Sequence, residues 1–125
     1  MEVRYLWHIE PEKGPIYAQI AAEVKRMLAR GELAPGGKLP SARTLAEEAR
    51  VNPNTVVHAY AELEREGITE TRRGLGTFVR EDVDVEAIRR RELEAAARAY
   101  LRTVRALGMD LNAAREVLEE VGDAP

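Results

Sequence analysis

Four consecutive residues, Asn52, Pro53, Asn54 and Thr55, form a short polar run whose side chains can exchange hydrogen bonds with base edges. Asn can bind the edge of adenine, and Thr can bond a base or place its methyl group against thymine. His58 follows one helical turn later. Because these side chains are short, they suit a surface that comes close to a DNA groove.

Two further groups carry cations. Ser41 and Arg43 open a predicted helix, whose free N–H groups together with an Arg make a site for phosphate. Arg43 could instead bind a guanine edge with two hydrogen bonds. Arg72, Arg73 and Gly74 form the other group, in which Gly lets the backbone approach a groove floor. The arginines there suit phosphate or a narrow minor groove.

Each of these residues also has an ordinary structural interpretation. A single Arg is more often a solvated surface charge, and a single His on a helix more often has no partner base. Ser and Asn at these positions would cap helices in any protein. Their convergence on one predicted face favours DNA binding, so the predicted set is Ser41, Arg43, Thr44, Asn52, Pro53, Asn54, Thr55, His58, Arg72, Arg73 and Gly74.

Catalytic chemistry has little support. The chain has no Cys, and its two His residues lie far apart in the sequence. Gly74-Leu75-Gly76 falls in a predicted hairpin rather than between a strand and a helix, so it does not indicate a nucleotide-binding loop. We therefore expect no enzyme activity, no metal and no cofactor.

Local signals place the first elements. Apolar residues at every second position predict an extended segment over residues 3–9. His8 lies in this segment and is expected to have no function. Apolar residues recur at helical spacing from Ile16 to Arg30 and predict a helix there. Pro15 is expected to be its first residue, and Gly31 is expected to end it. Ser41 predicts the start of a second helix.

Asn52 followed by Pro53 predicts the start of a third helix, which runs to about Glu66 and stops at Gly67. Two β-branched or aromatic runs around a Gly-containing loop predict a hairpin over residues 68–79. The order of helix, helix, turn, helix and hairpin is typical of a winged helix-turn-helix.

A different pattern follows residue 80. Residues 84–107 contain no Gly or Pro and predict a long helix with a heptad-like apolar seam. Gly108 ends it, and Asp110 predicts a cap for a last helix that folds back antiparallel and closes at Gly122. The predicted dimer interface comprises Leu93, Ala97, Tyr100, Leu101, Val104, Leu107, Leu111 and Leu118.

The predicted fold is thus mainly α with one small β-hairpin. Residues 1–80 form the winged helix-turn-helix, and residues 81–125 form a two-helix dimerisation tail. The first part has a net charge of +1 and the second of −4, which suggests different roles. No apolar run approaches the roughly 20 residues of a membrane span, so a cytoplasmic protein without membrane contact is expected.

Several motifs occur in a familiar order over residues 14–80. They are Pro15-Ile16-Tyr17-Ala18-Gln19-Ile20, Gly31-Glu32-Leu33-Ala34-Pro35-Gly36, Leu39-Pro40-Ser41-Ala42-Arg43, Val51-Asn52-Pro53-Asn54-Thr55-Val56, Ala59-Tyr60-Ala61-Glu62-Leu63-Glu64-Arg65-Glu66-Gly67 and Gly74-Leu75-Gly76-Thr77-Phe78-Val79. This order strongly resembles the DNA-binding domain of GntR-family transcription regulators. The short tail resembles the YtrA-type subfamily.

The resemblance implies a homodimeric repressor that binds an inverted repeat in double-stranded DNA. It implies that Arg43 contacts DNA and that Gly74 enters the minor groove. It also implies base reading by Pro53, Asn54, Thr55 and Val57, although many relatives carry Arg at the positions of Pro53 and Val57. Whether a small-molecule effector also binds is left open by the sequence.

The main alternative is an architectural or adaptor winged-helix protein without a specific operator. Its support is the net charge of −3, which is unusual for a protein that binds DNA by charge alone. Competition against random DNA separates the two hypotheses, because a repressor should favour one site by a factor of about 10³ or more.

Overall fold

The computed structural model describes Trp7 and residues 9–123, and these fall into two compact units divided between Ile88 and Arg89. The first unit contains three helices and a hairpin. Its elements are a 3-10 turn Pro11–Lys13, α1 Ile16–Ala29, α2 Ala42–Ala49, α3 Pro53–Arg65, β1 Thr69–Arg72 and β2 Gly76–Val79. The extended segment predicted over residues 3–9, with His8, lies outside the described residues except for Trp7 and Ile9, and neither belongs to a strand.

The core of the first unit lies among its three helices. Helix α3 packs against both α1 and α2, so its buried residues recur at helical spacing. Val56 and Leu63 of α3 are fully buried, as are Ile20 of α1 and Leu45 of α2. This packing fixes the direction in which the exposed beginning of α3 points.

The predicted helix starts of α2 and α3 are confirmed. Ser41 Oγ accepts a hydrogen bond from the backbone N–H of Thr44, and Asn52 Oδ1 accepts one from the N–H of Asn54. Pro53 occupies the first turn of α3, as expected. Pro15 is placed differently: it is the residue before α1, so the helix begins at Ile16 rather than at the proline.

The hairpin joins the segment that precedes α2. Strands β1 and β2 are antiparallel, with Thr69 opposite Val79 and Arg72 opposite Gly76. Lys38 forms an isolated antiparallel bridge with Phe78, and the N–H of Leu39 donates to the carbonyl of Thr77 at 2.9 Å. This hairpin, residues 69–79, is the wing of the fold, and it is hydrogen-bonded to the chain that leads into α2.

Helix α4 spans Val85–Ala106, and the second unit closes with α5, Leu111–Asp123. Within this unit the hydroxyl of Tyr100 donates to the carbonyl of Ala114 at 2.9 Å, so α5 folds back along α4. Asp110 caps α5 by accepting from the N–H of Ala113, as predicted. Gly122 does not close the helix, which continues for one more residue.

The overall class is confirmed as mainly helical, with five α-helices and a two-strand hairpin over the described residues. The first compact unit includes Ile88, which is buried and joins its core. The domain boundary at residue 80 stays a prediction, since a compact unit is not by itself an independently folding domain.

Candidate nucleic-acid interface

The first turn of α3 presents short polar side chains to solvent. Asn52 uses its Oδ1 atom for the helix cap, with a 2.8 Å bond from the N–H of Asn54. The side chains of Pro53 and Asn54 are exposed, and Thr55 is half-buried. The side-chain amide of Asn54 has no hydrogen-bond partner among the residues that the structure describes, so it is free to bind the edge of a base.

His58 lies one turn further along α3 and stacks on Tyr17 of α1. The ring centroids are 3.7 Å apart and the planes differ by 16°. His58 Nε2 also lies 3.8 Å from a carboxylate oxygen of Glu62. Val57 is 54% exposed on the same helix.

Tyr17 is a residue that sequence reasoning did not assign to the interface. With Asn52, Asn54, Thr55 and His58 it lines an open cavity of about 440 Å³ beside the start of α3. Its sequence signal is slight: Tyr17 lies three residues before Ile20 and seven before Val24, so its spacing indicates a residue that packs against the core rather than one that contacts DNA. The stack with His58, 41 residues away, is a tertiary contact that no local pattern indicates.

The start of α2 is built around a pair of hydroxyl groups. Ser41 Oγ accepts from the N–H of Thr44 at 3.1 Å and donates to Thr44 Oγ1 at 2.9 Å. Both hydroxyls are thus part of the cap. Arg43 is exposed on the same turn, and it has no ion-pair partner within residues 9–123.

Tyr60 connects α3 to the residue just ahead of this cap. Its hydroxyl donates to the carbonyl of Pro40 at 2.7 Å, and the side chain is 8% exposed. Burial raises the pKa of the Tyr60 phenol well above its usual range, and the negative charge of Glu48 adds to the effect. The phenol is therefore a neutral hydrogen-bond donor, and its bond to Pro40 links α3 to the start of α2.

The two arginines of the wing differ in their surroundings. Arg72 donates to one oxygen of Glu70 through Nε and Nη2, at 3.0 and 2.8 Å. Its guanidinium also lies 4.2 Å from the centre of the Phe78 ring. Arg73 and Gly74 are exposed at the tip, and no ion pair to Arg73 occurs in the described part of the chain. Over the residues described, Arg73 is therefore a cation at the tip that no ion pair engages.

The acidic residues of α3 are engaged at its far end. Glu62 pairs with Arg65, and Glu66 pairs with Lys25 of α1 at 2.8 Å. Glu64 accepts the backbone N–H of Thr71 from the wing at 2.9 Å. These contacts keep negative charge away from the first turn of α3, which can approach phosphates without repulsion from its own helix.

Trp7 and residues 9–123 hold no cluster of three or more His, Asp or Glu side chains that could bind a metal ion. None of the helices described has the length and apolar character that crossing a bilayer requires.

Comparison with known families decides the assignment. The sequence profile described as "Bacterial regulatory proteins, gntR family" matches residues 16–79, which is half of the chain and includes α1 to α3 and the wing. The chain belongs to the GntR family. As a member it is a DNA-binding transcriptional regulator and not an enzyme, as the sequence predicted.

This GntR-family chain is similar to the HTH-type transcriptional repressor YtrA of Bacillus subtilis. The two are 52% identical over 75 residues, which cover 59% of this chain and 58% of that repressor. The predicted resemblance to the YtrA type is thereby confirmed.

Solved structures show the same fold. A GntR family transcriptional regulator from Listeria monocytogenes matches with a TM-score of 0.79 and 30% identity, over 91% of this chain and 98% of that one. A crystal structure of AraR(DBD) in complex with operator ORX1 matches at TM-score 0.52 and 28% identity. That match covers 63% of this chain and 95% of AraR(DBD).

Proposed function

We propose that this GntR-family regulator is a homodimeric repressor that binds an inverted-repeat operator. The observation that carries the proposal is the state of the first turn of α3, where Asn54 is exposed and Asn52 fixes the helix start. A helix-turn-helix places this end of its second helix in the major groove. The remaining proposed contacts follow from that placement.

Base reading is assigned to Asn54 and Thr55, with Pro53, Val57 and His58 as neighbours at the same end of α3. Phosphate contacts are assigned to Arg43, to the first turn of α2 with Ser41 and Thr44, and to Arg73 on the wing. Gly74, with φ of 78°, brings the wing backbone close to the minor groove. Arg72 stabilises the wing through its contacts with Glu70 and Phe78. It is therefore expected to contribute less to DNA binding than Arg73 does.

Dimerisation is assigned to the second unit because it leaves many large apolar side chains in water. Only Val104 and Ala114 are buried there among the residues described, in the contact between the two helices. Leu93 and Leu107 are 69% and 70% exposed. Leu93, Ala96, Ala97, Tyr100, Leu101, Leu111, Ala114, Arg115 and Leu118 line an open cavity of about 440 Å³. An exposed apolar surface of this kind is typical of a protein interface.

A two-fold dimer presents its two recognition helices to two half-sites in inverted order, which explains why an inverted repeat is expected. Repression is proposed because YtrA of Bacillus subtilis, to which the chain is similar, is named a repressor. An adaptor without an operator remains the alternative that the net charge of −3 favours.

Selection of bound DNA from a random library tests the proposal. A repressor should enrich one inverted repeat and prefer it over random DNA by a factor of about 10³ or more. Enrichment of no sequence would favour the adaptor, and enrichment of a single unrepeated half-site would argue against the dimeric arrangement.

Two variants then separate reading from positioning. Asn54→Ala should cost about 1–3 kcal/mol on the selected operator and relax preference at one or two base pairs. Arg73→Ala should weaken all sequences evenly and reduce the salt slope by about one. Arg65→Ala, at the opposite end of α3, is the matched charge control. If Arg73→Ala changes base preference while Asn54→Ala does not, the two roles are reversed.

A further inference from the structure

Lys38 lies at the junction between the wing and the helix-turn-helix. Its backbone is held by the antiparallel bridge to Phe78, and its side chain runs over Gly76. A methyl group placed on Gly76 would lie 3.0 Å from Lys38 Cε. The ammonium nitrogen is 5.9 Å from the centre of the Phe78 ring. The side chain therefore has a defined path, along which Gly76 leaves room for its methylene groups.

No carboxylate in the described part of the chain forms an ion pair with the Lys38 ammonium group. The other two lysines of the chain, Lys13 and Lys25, form ion pairs with Glu10 and Glu66. Glu70, which is paired in register with Phe78 on the same sheet, binds Arg72 instead. Within residues 9–123, no ion pair to Lys38 occurs, although its backbone is fixed by the bridge to Phe78.

The surroundings of Lys38 form a gap between α2 and the wing. An open cavity of about 520 Å³ lies there, and its lining residues are Lys38, Leu39, Pro40, Ser41, Thr44, Leu75, Gly76 and Thr77. The cavity thus has a cation and the hydroxyl-bearing first turn of α2 at its edges. These two features favour an anion at that edge of the cavity, whereas Leu39, Pro40 and Leu75 make the rest of its lining largely apolar.

The two elements on either side of this gap are assigned to different grooves. In the proposed mode of binding, the helix-turn-helix formed by α2 and α3 occupies the major groove and the wing occupies the adjacent minor groove. One sugar–phosphate strand separates two adjacent grooves of B-DNA. That strand must pass between the motif and the wing. We propose that Lys38 binds a phosphate of this strand and so positions the wing relative to the recognition helix.

This inference rests on the proposed mode of DNA binding and adds a residue to it. A contact to phosphate carries no sequence information, so Lys38 should set affinity and register rather than base preference. Lys38 is thus a positioning residue, distinct in effect from Asn54 on the recognition helix.

Lys38→Met tests the proposal, because Met keeps an unbranched side chain over Gly76 and removes the charge. The dependence of log affinity on log salt should become shallower by about 0.9 for each bound subunit. If wild type and variant bind equally at 1 M salt, a slope change of about 0.9 makes the variant roughly eightfold weaker per subunit at 0.1 M salt. Operator, single-base variants and random DNA should all lose the same factor.

Three controls accompany this variant. Lys25→Met removes the same charge near the far end of α3 and should leave the salt slope within about 0.3 of wild type. Lys38→Arg should restore most of the slope, because a cation remains. Lys38→Gln, a second neutral variant, should match Lys38→Met, and thermal unfolding should show that each variant remains folded.

The outcomes distinguish this inference from the proposed function. If wild type selects an operator and Lys38→Met keeps its full salt slope, Lys38 has only a structural role and the inference is overturned. A changed base preference in Lys38→Met would overturn it as well, since Lys38 would then contact a base. If wild type selects no operator, the proposed function itself fails.

Discussion

Replacing Tyr60 by Phe removes a single oxygen atom from the contact between α3 and the chain ahead of α2. The phenol donates to the Pro40 carbonyl at 2.7 Å, the usual length of a good O–H···O bond. The Tyr60 side chain is only 8% exposed and Pro40 is half-buried, so water reaches the carbonyl only in part once the donor has gone. The variant therefore loses a hydrogen bond and leaves an acceptor without its protein donor.

The expected cost follows from these two effects. A net hydrogen bond contributes about 0.5–1.5 kcal/mol, and an unsatisfied buried group costs about 1–3 kcal/mol. Because Pro40 is half-buried, we expect the free energy of unfolding to fall by about 1–2 kcal/mol. For a domain of about 60–100 residues, the size class of the first unit, each kcal/mol lost lowers the melting temperature by roughly 4–8 °C.

Thermal unfolding followed by circular dichroism measures this change, and Tyr17→Phe is the matched control. The Tyr17 hydroxyl has no hydrogen bond to any residue that the structure describes, and Phe retains the stack on His58. Tyr17→Phe should therefore change the free energy of unfolding by no more than about 0.5 kcal/mol. Since Tyr60→Phe removes no charge, its salt slope for DNA binding should equal that of wild type.

The pH dependence gives a second, independent measure. Burial raises the pKa of Tyr60 in the folded state above its ordinary value of about 10. A raised folded pKa contributes stability that is complete below the unfolded pKa and is lost as pH rises through the folded pKa. The advantage of wild type over Tyr60→Phe should thus be constant at neutral pH and shrink above about pH 10.

Two results would refute this reasoning. If Tyr60→Phe and Tyr17→Phe melt together, the hydrogen bond to Pro40 adds no stability. If the advantage of wild type grows above pH 10, the phenol ionises more readily in the folded state than in the unfolded one, which contradicts its burial.

Two further variants test the cap and the dimer. Asn52→Ala should lower the free energy of unfolding by about 1 kcal/mol, measured by urea unfolding, because it removes the cap on the Asn54 N–H; Asn52→Asp should restore most of it, and equal stability of all three proteins would contradict the role of the cap. Leu93→Glu should shift sedimentation from dimer to monomer, because the proposed interface would have to bury a carboxylate. Ala95→Glu, about 200° further around α4, should remain dimeric, and a Leu93→Glu protein that stays dimeric at micromolar concentration would place the interface elsewhere.

Much of the first unit was predictable because its signals act over a few residues. Ser41 and Asn52 each accept a hydrogen bond from an N–H group two or three residues away, so each cap depends on local sequence alone. The buried stripe of α1 follows from helical spacing for the same reason. The misplaced ends, at Pro15 and Gly122, differ by one residue, since a helix terminus depends on small differences among neighbouring residues.

Chemical type also predicted the family, and it is the basis for the proposal that the beginning of α3 faces DNA. The run from Asn52 to Thr55 combines a helix start with short polar groups, and that combination is visible without a structure. The assignment of individual contacts to these residues stays a prediction, because a side chain's chemistry does not specify the base that it meets.

Tertiary structure alone decided which of these side chains are committed to other residues. Arg72 and Arg73 are adjacent and identical in type, yet only Arg72 lies over Phe78 and binds Glu70. The contacts of Tyr60 with Pro40, and of Lys38 with Gly76, join residues 20 and 38 positions apart. Such contacts exist only once helices and strands have packed, because packing brings together groups whose separation along the chain carries no local signal.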